Sequence, residues 1–123
     1  MSIYTEIILD HYQNPRNHGK MKNPTAKVKV SNPLCGDKIE MMIKTKGEKI
    51  IDMKFQGIGC AISKASSSML TKYARGKSKE QLKKLDKDFI IRLLGIDLSV
   101  NRIKCALLPL EAMNKLLIKT NHE

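Results

Sequence analysis

The chain of 123 residues has no tryptophan, three tyrosines and two phenylalanines. It has three cysteines, an odd number, and no Cys-x-x-Cys pair. With no sign of export, that count speaks against a disulfide framework. No apolar run approaches the length of a membrane span, and the first residues lack the apolar centre of an export signal, so a cytoplasmic protein without membrane contact is expected. Acidic residues are also scarce, 12 Asp and Glu against 23 Lys and Arg, which leaves a formal charge of +11. Such a charge ordinarily raises nucleic-acid binding. Here 19 lysines outnumber 4 arginines, lie scattered, and lack the interleaved aromatics on which bases stack. Nucleic acid is therefore not an expected partner. The lysines read as solvated faces, with acidic proteins as secondary partners. The length suits one domain over residues 1–123 with a single core, and no repeat, linker or low-complexity tract divides it.

What is present reads in order. Ile3, Tyr4, Ile7, Ile8 and Tyr12 mark one face of a helix that Pro15 ends near Gln13. A turn-rich loop, Asn14 to Gly19, follows. His11 and His18 read as exposed or hydrogen-bonded, because no second ligand stands at metal spacing. Val28 and Val30 predict a strand ended by Asn32-Pro33, and Pro33-Leu34-Cys35-Gly36-Asp37 a tight loop that leaves Cys35 and Asp37 reachable. Ile39, Met41 and Ile43, then Ile51, Met53 and Phe55, alternate with more polar residues about Gly47. A hairpin folded about Gly47 sets Asp37 near Gly57, and Cys35 beside Gly59 and Cys60.

The stretch from Phe55 to Leu70 organises the rest. Gly57 and Gly59 let a strand turn sharply. After Cys60, Ile62, Ala65, Met69 and Tyr73 recur at helical spacing, so Cys60 stands where a strand ends and a helix begins, facing the free N–H groups of a first turn. Ser78 and Gln81 form a capping box, and Asp86 or Asp88 caps a helix that Gly95 ends. Leu107, Leu110, Met113 and Leu117 line a last helix. Pro109 belongs in its first turn, which places Cys105 at a helix start too.

Cys35, Asp37, Cys60 and Cys105 are then three soft ligands and one hard carboxylate. Sulfur ligands select zinc, copper(I) or iron–sulfur clusters. Spacing alone does not separate this from free cysteines acting as small buried hydrophobes.

The wording of these segments narrows the choice. Asp10-His11-Tyr12 with Asn14-Pro15-Arg16-Asn17, Asn32-Pro33-Leu34-Cys35-Gly36-Asp37, Gly57-Ile58-Gly59-Cys60-Ala61-Ile62-Ser63 with Ala65-Ser66, and Arg102-Ile103-Lys104-Cys105 resemble the IscU/SufU/NifU N-terminal scaffold family over almost the whole chain. The resemblance implies an α+β fold, a three-stranded antiparallel sheet packed against several helices. It also implies an iron–sulfur cluster assembly scaffold, with Cys35, Cys60, Cys105 and Asp37 as ligands of a labile [2Fe–2S] cluster. A cysteine desulfurase would supply sulfur, and apo iron–sulfur proteins would receive the cluster.

Two departures shape the expectations. Lys104 stands where IscU-type chains carry histidine, as is common in the SufU type, whereas the short Cys60–Cys105 interval follows the IscU type. The segment that a dedicated Hsp70 chaperone reads is altered to Leu98-Ser99-Val100-Asn101-Arg102, which speaks against that partner. The alternative function, resembling SufU, is a zinc-dependent sulfurtransferase in which Cys35 accepts persulfide sulfur. Zn²⁺ is expected in the as-isolated protein under either reading.

Overall fold

Three strands, β1 (Ala26–Asn32), β2 (Asp37–Lys46) and β3 (Lys49–Ile58), pair antiparallel in the order β1-β2-β3. They belong to a computed structural model that describes residues 3–33 and 36–120. Helix α1 (Ile3–Gln13) precedes the sheet, and α2 (Ala61–Ala74), α3 (Lys79–Lys83), α4 (Lys87–Leu94) and α5 (Val100–Thr120) follow it. Helices α2 and α5 pack on the sheet and on each other, while α1 rests on α2 and α4 on both. The core lies between the layers. Ile39, Met41, Ile43, Met53 and Phe55 come from the strands, and Ile62, Ala65, Leu70, Ala106, Met113 and Leu117 from the helices. This is the expected α+β architecture. Among the described residues no helix is long and apolar enough to cross a membrane.

The hairpin register differs from the expected one. Ile39 opposes Gly57 and Met41 opposes Phe55, two positions further along β3 than a fold about Gly47 alone gives. The physical reason is local. Gly47, at φ 62, is the first residue of a two-residue turn with Glu48, which moves the centre of symmetry. A bulge between Lys44 and Thr45 then adds one more residue to the offset. The corrected register carries Asp37 opposite Gly59 and next to Cys60.

Helix α5 also differs. Ser99 caps it, its Oγ accepting from the Arg102 N–H at 3.3 Å, so the helix begins five residues before Cys105. Cys105 therefore sits in the second turn and Pro109 in the interior. An interior proline costs about 3 kcal/mol. The buried face of Cys105, Ala106, Leu108, Leu110, Met113 and Leu117 offsets it, since each fully buried large aliphatic contributes about 1.5–3 kcal/mol.

The face expected on α1 is only half used. Ile8 and His11 are buried, but Ile3 is 66% exposed, and Tyr4, Ile7 and Tyr12 also stay open. The helix docks on α2 rather than on the sheet. His11 is an anchor of that contact, with its Nδ1 2.7 Å from Ser68 Oγ, which also accepts the Arg16 N–H at 2.8 Å. His18 lies edge-on to the Phe55 ring, and the backbone of Asn17 and Gly19 bonds the outer edge of β3 at Phe55.

Burial, with the nearby Arg16 and Lys72 charges, holds the His11 pKa below its ordinary 6.5. The unfolded chain then binds a proton that the native protein refuses, so stability is complete above the unfolded value and is lost as the pH falls below it. Denaturant midpoints of metal-free protein should fall as the pH is lowered below about 6.5. The same series on His11→Gln should lose that slope; a persisting slope assigns it elsewhere.

Candidate metal centre

Three elements deliver one donor each to the same end of the sheet. Asp37 is the first residue of β2, Cys60 the N-cap of α2, and Cys105 lies within α5. One ligand atom from each lies within 4.8 Å of the others. Asp37 is 1% exposed and Cys105 4%, with Cys60 between buried and open.

Asp37 is held by the element it faces. Its Oδ1 accepts the Cys60 N–H at 2.9 Å, and its Oδ2 lies 3.8 Å from Cys60 Sγ, which donates to it. Cys60 Sγ in turn accepts the Ser63 N–H at 3.5 Å, and Ser63 Oγ donates to the Cys60 carbonyl at 3.2 Å. A cysteine thus occupies a capping position that Ser, Thr, Asp or Asn usually fills.

Two glycines make the approach possible. Gly57, at φ 148, runs against β2 so closely that a Cβ there would collide with the Lys38 carbonyl. A Cβ on Gly59 would collide with Ser63 Oγ and come 3.4 Å from Asp37 Oδ1.

The donor chemistry fits a thiophilic metal. Two ligands of one zinc at about 2.3 Å each stand no more than about 4.6 Å apart, the scale of this group. Two sulfurs and one carboxylate suit zinc or iron–sulfur chemistry, not the all-oxygen shells of calcium or magnesium. Cys35 lies outside the described residues. His11 and His18 are not part of the group, and Lys104 points from the exposed side of α5. Sequence reasoning missed Ser63; its place three residues after a capping side chain was the available signal.

A family model described as "NifU-like N terminal domain" matches residues 3–121. This chain belongs to that family. It is 38% identical over 116 residues to an iron–sulfur cluster assembly scaffold protein IscU of Archaeoglobus fulgidus, covering 94% of this chain and 75% of that one. It is 37% identical to the zinc-dependent sulfurtransferase SufU of Bacillus subtilis, covering 93% and 88%. That second alignment runs over 131 residues, longer than this chain, so the Bacillus protein carries residues that this family member lacks. Among solved structures, an iron–sulfur cluster assembly scaffold protein for the SUF system from Fervidobacterium islandicum superposes with a TM-score of 0.80 at 31% identity, over 94% of this chain and 96% of that one.

Gly57→Ala tests the close approach. The strained φ alone costs about 1–3 kcal/mol, and the backbone collision adds to it. Denaturant unfolding should show a loss of at least that size. A variant as stable as the parent would mean that β2 and β3 do not meet here as described.

Proposed function

We propose that this chain is an iron–sulfur cluster assembly scaffold. It receives iron and desulfurase-derived sulfur in the cytoplasm, builds a labile [2Fe–2S] cluster on Cys35, Cys60, Cys105 and Asp37, and passes the cluster to apo iron–sulfur proteins. The cluster is cargo, and the protein turns over nothing itself. The observation that carries this reading is the convergence of Asp37, Cys60 and Cys105 donors within 4.8 Å at one end of the sheet. Family membership and the IscU relative support it. Cys35, outside the described residues, enters this reading through the resemblance of its segment Pro33-Leu34-Cys35-Gly36-Asp37 to the family's.

The second reading rests on the 37% identity to a zinc-dependent sulfurtransferase. In it the same four side chains hold Zn²⁺, and Cys35 leaves the metal to accept a persulfide. The extra residues of the Bacillus protein favour the scaffold reading, because the present chain keeps the shorter layout. Anaerobic incubation with iron, cysteine and a desulfurase, followed by absorption and Mössbauer spectra, separates the two. A [2Fe–2S] spectrum is expected; persulfide on Cys35 with zinc retained and no cluster would overturn the scaffold reading.

Asp37→Ala sharpens that choice. A carboxylate is a harder and more exchangeable ligand than a sulfur. On a scaffold the variant still assembles a cluster but transfers it to an apo-acceptor more slowly. In a zinc sulfurtransferase it loses zinc affinity and changes the rate at which Cys35 takes up sulfur.

The exposed apolar residues of α1 are the proposed docking surface for the desulfurase. Ile3 and Ile7 are open, whereas Ile8 and His11 hold the helix to α2. Replacing Ile3 and Ile7 by Ser should weaken desulfurase binding about tenfold, roughly 1.4 kcal/mol, with thermal stability nearly unchanged. Unaltered affinity in a binding titration would refute this role.

A further inference from the structure

Cys105 reaches the metal centre from a helix that contains its own weak point. Pro109 has no N–H, so it cannot close the helical bond to the carbonyl four residues earlier, which is that of Cys105. An interior proline is also a place where helices kink. The segment before it carries Cys105. Contacts from outside the helix therefore help to hold its angle.

Ser66 is placed to set it. Its side chain is fully buried, and its Oγ donates to the Ala106 carbonyl at 2.7 Å. Ala106 is the residue after Cys105, and its carbonyl is the next one along the stretch that the proline loosens. Ser66 belongs to α2, six residues beyond Cys60, which caps the same helix. One hydrogen bond thus ties the peptide beside one sulfur to the helix that carries the other. The buried hydroxyls of Ser67 and Thr71 do something different, each returning a bond to α2 itself.

We propose that Ser66 is a positioning residue of the metal centre: its bond to Ala106 fixes the tilt of the Cys105 segment, and so the distance between the Cys105 and Cys60 sulfurs. The inference rests on the reading of these residues as metal ligands. Ser66 touches neither metal nor sulfur and acts through the backbone of α5. Its hydroxyl stands one step further out than a partner bonded to a ligand side chain, whose loss costs about 10–100-fold in metal affinity, so the loss here should lie at or below the lower end.

Anaerobic titration of the full-length apoprotein with Co²⁺ tests the proposal, with sulfur-to-cobalt charge-transfer absorption counting the bound sulfurs and chelator competition giving the affinity. The parent should show the charge-transfer band. In Ser66→Ala, affinity should fall up to about tenfold and the band should lose the intensity of one sulfur per bound ion. Ser66→Thr and Ser66→Val, nearly equal in shape, isolate the hydroxyl and decide the matter if the alanine variant fails to fold. Thr should keep the parent spectrum, and Val should not. Pro109→Ala restores the missing donor, so Ser66→Ala should cost less on that background. Folded Ala and Val variants with the parent's affinity and band would overturn the positioning role, as would equal losses in Thr and Val. A parent that binds Co²⁺ with no sulfur band would instead remove the ligand reading itself.

Discussion

The bond from the Cys60 N–H to Asp37 Oδ1, at 2.9 Å, is the contact on which the site end of the molecule depends. A buried carboxylate is costly unless donors meet it. Cys60 supplies one from the first turn of α2, where backbone N–H groups have no partner within the helix. The same bond fixes where β2 begins, how β3 passes into α2, and which way the Cys60 side chain faces. Gly57 and Gly59 follow from it, because a Cβ would meet the Lys38 backbone carbonyl at the first and the Ser63 hydroxyl at the second. The hairpin bulge follows as well, since without its added residue Asp37 would stand opposite Ile58 rather than opposite Gly59 and next to Cys60.

Helix α2 is the member through which the rest of the fold is joined to that contact. It packs against α1, α4, α5 and β3, and nearly every side chain on it from Ile62 to Thr71 is buried. A helix enclosed on all sides ordinarily carries large apolar residues all round. This one carries Ser63, Ser66, Ser67, Ser68 and Thr71, each with a hydrogen-bond partner. Small side chains let the neighbours approach closely, and the bonded hydroxyls avoid the penalty of orphaned polar groups. Two of them, Ser66 and Ser68, bond outward to α5 and α1, so they also record where those helices sit.

These features explain what the amino-acid order reveals and what it conceals. Helix α1, the strands, the Ser78–Gln81 capping box and the Gly95 stop rest on rules that span only a few residues, and each is legible. So is Cys60 at a strand-to-helix junction, because two glycines precede it and a helical period follows. The hairpin offset is not, since nothing in Lys44-Thr45 marks a bulge. Proline rules alone put Cys105 at a helix start; Ser99 and the apolar face beyond it extend the helix upstream, a balance that depends on packing. Nothing in the amino-acid order marks the serines of α2 as buried, since it is α1 and α5 that cover them. His11 gave no signal of burial, because its partner Ser68 is 57 residues away.

The geometry also bears on how such a centre can be both specific and releasable. The two oxygens of Asp37 do not have the same surroundings. Oδ1 is committed to the Cys60 backbone, and Oδ2 lies toward the Cys60 sulfur at 3.8 Å. As a proposed ligand, Asp37 therefore offers a metal one oxygen while the other stays bonded to the protein. Such a carboxylate can let go of a metal without becoming an unsatisfied buried group, because Oδ1 keeps its donor throughout and Oδ2 can return to the Cys60 thiol. A fourth cysteine here would lose that option, since sulfur is a weak acceptor and binds soft metals more firmly. The hydrogen bond that builds the site is also what makes its carboxylate the proposed ligand best able to yield.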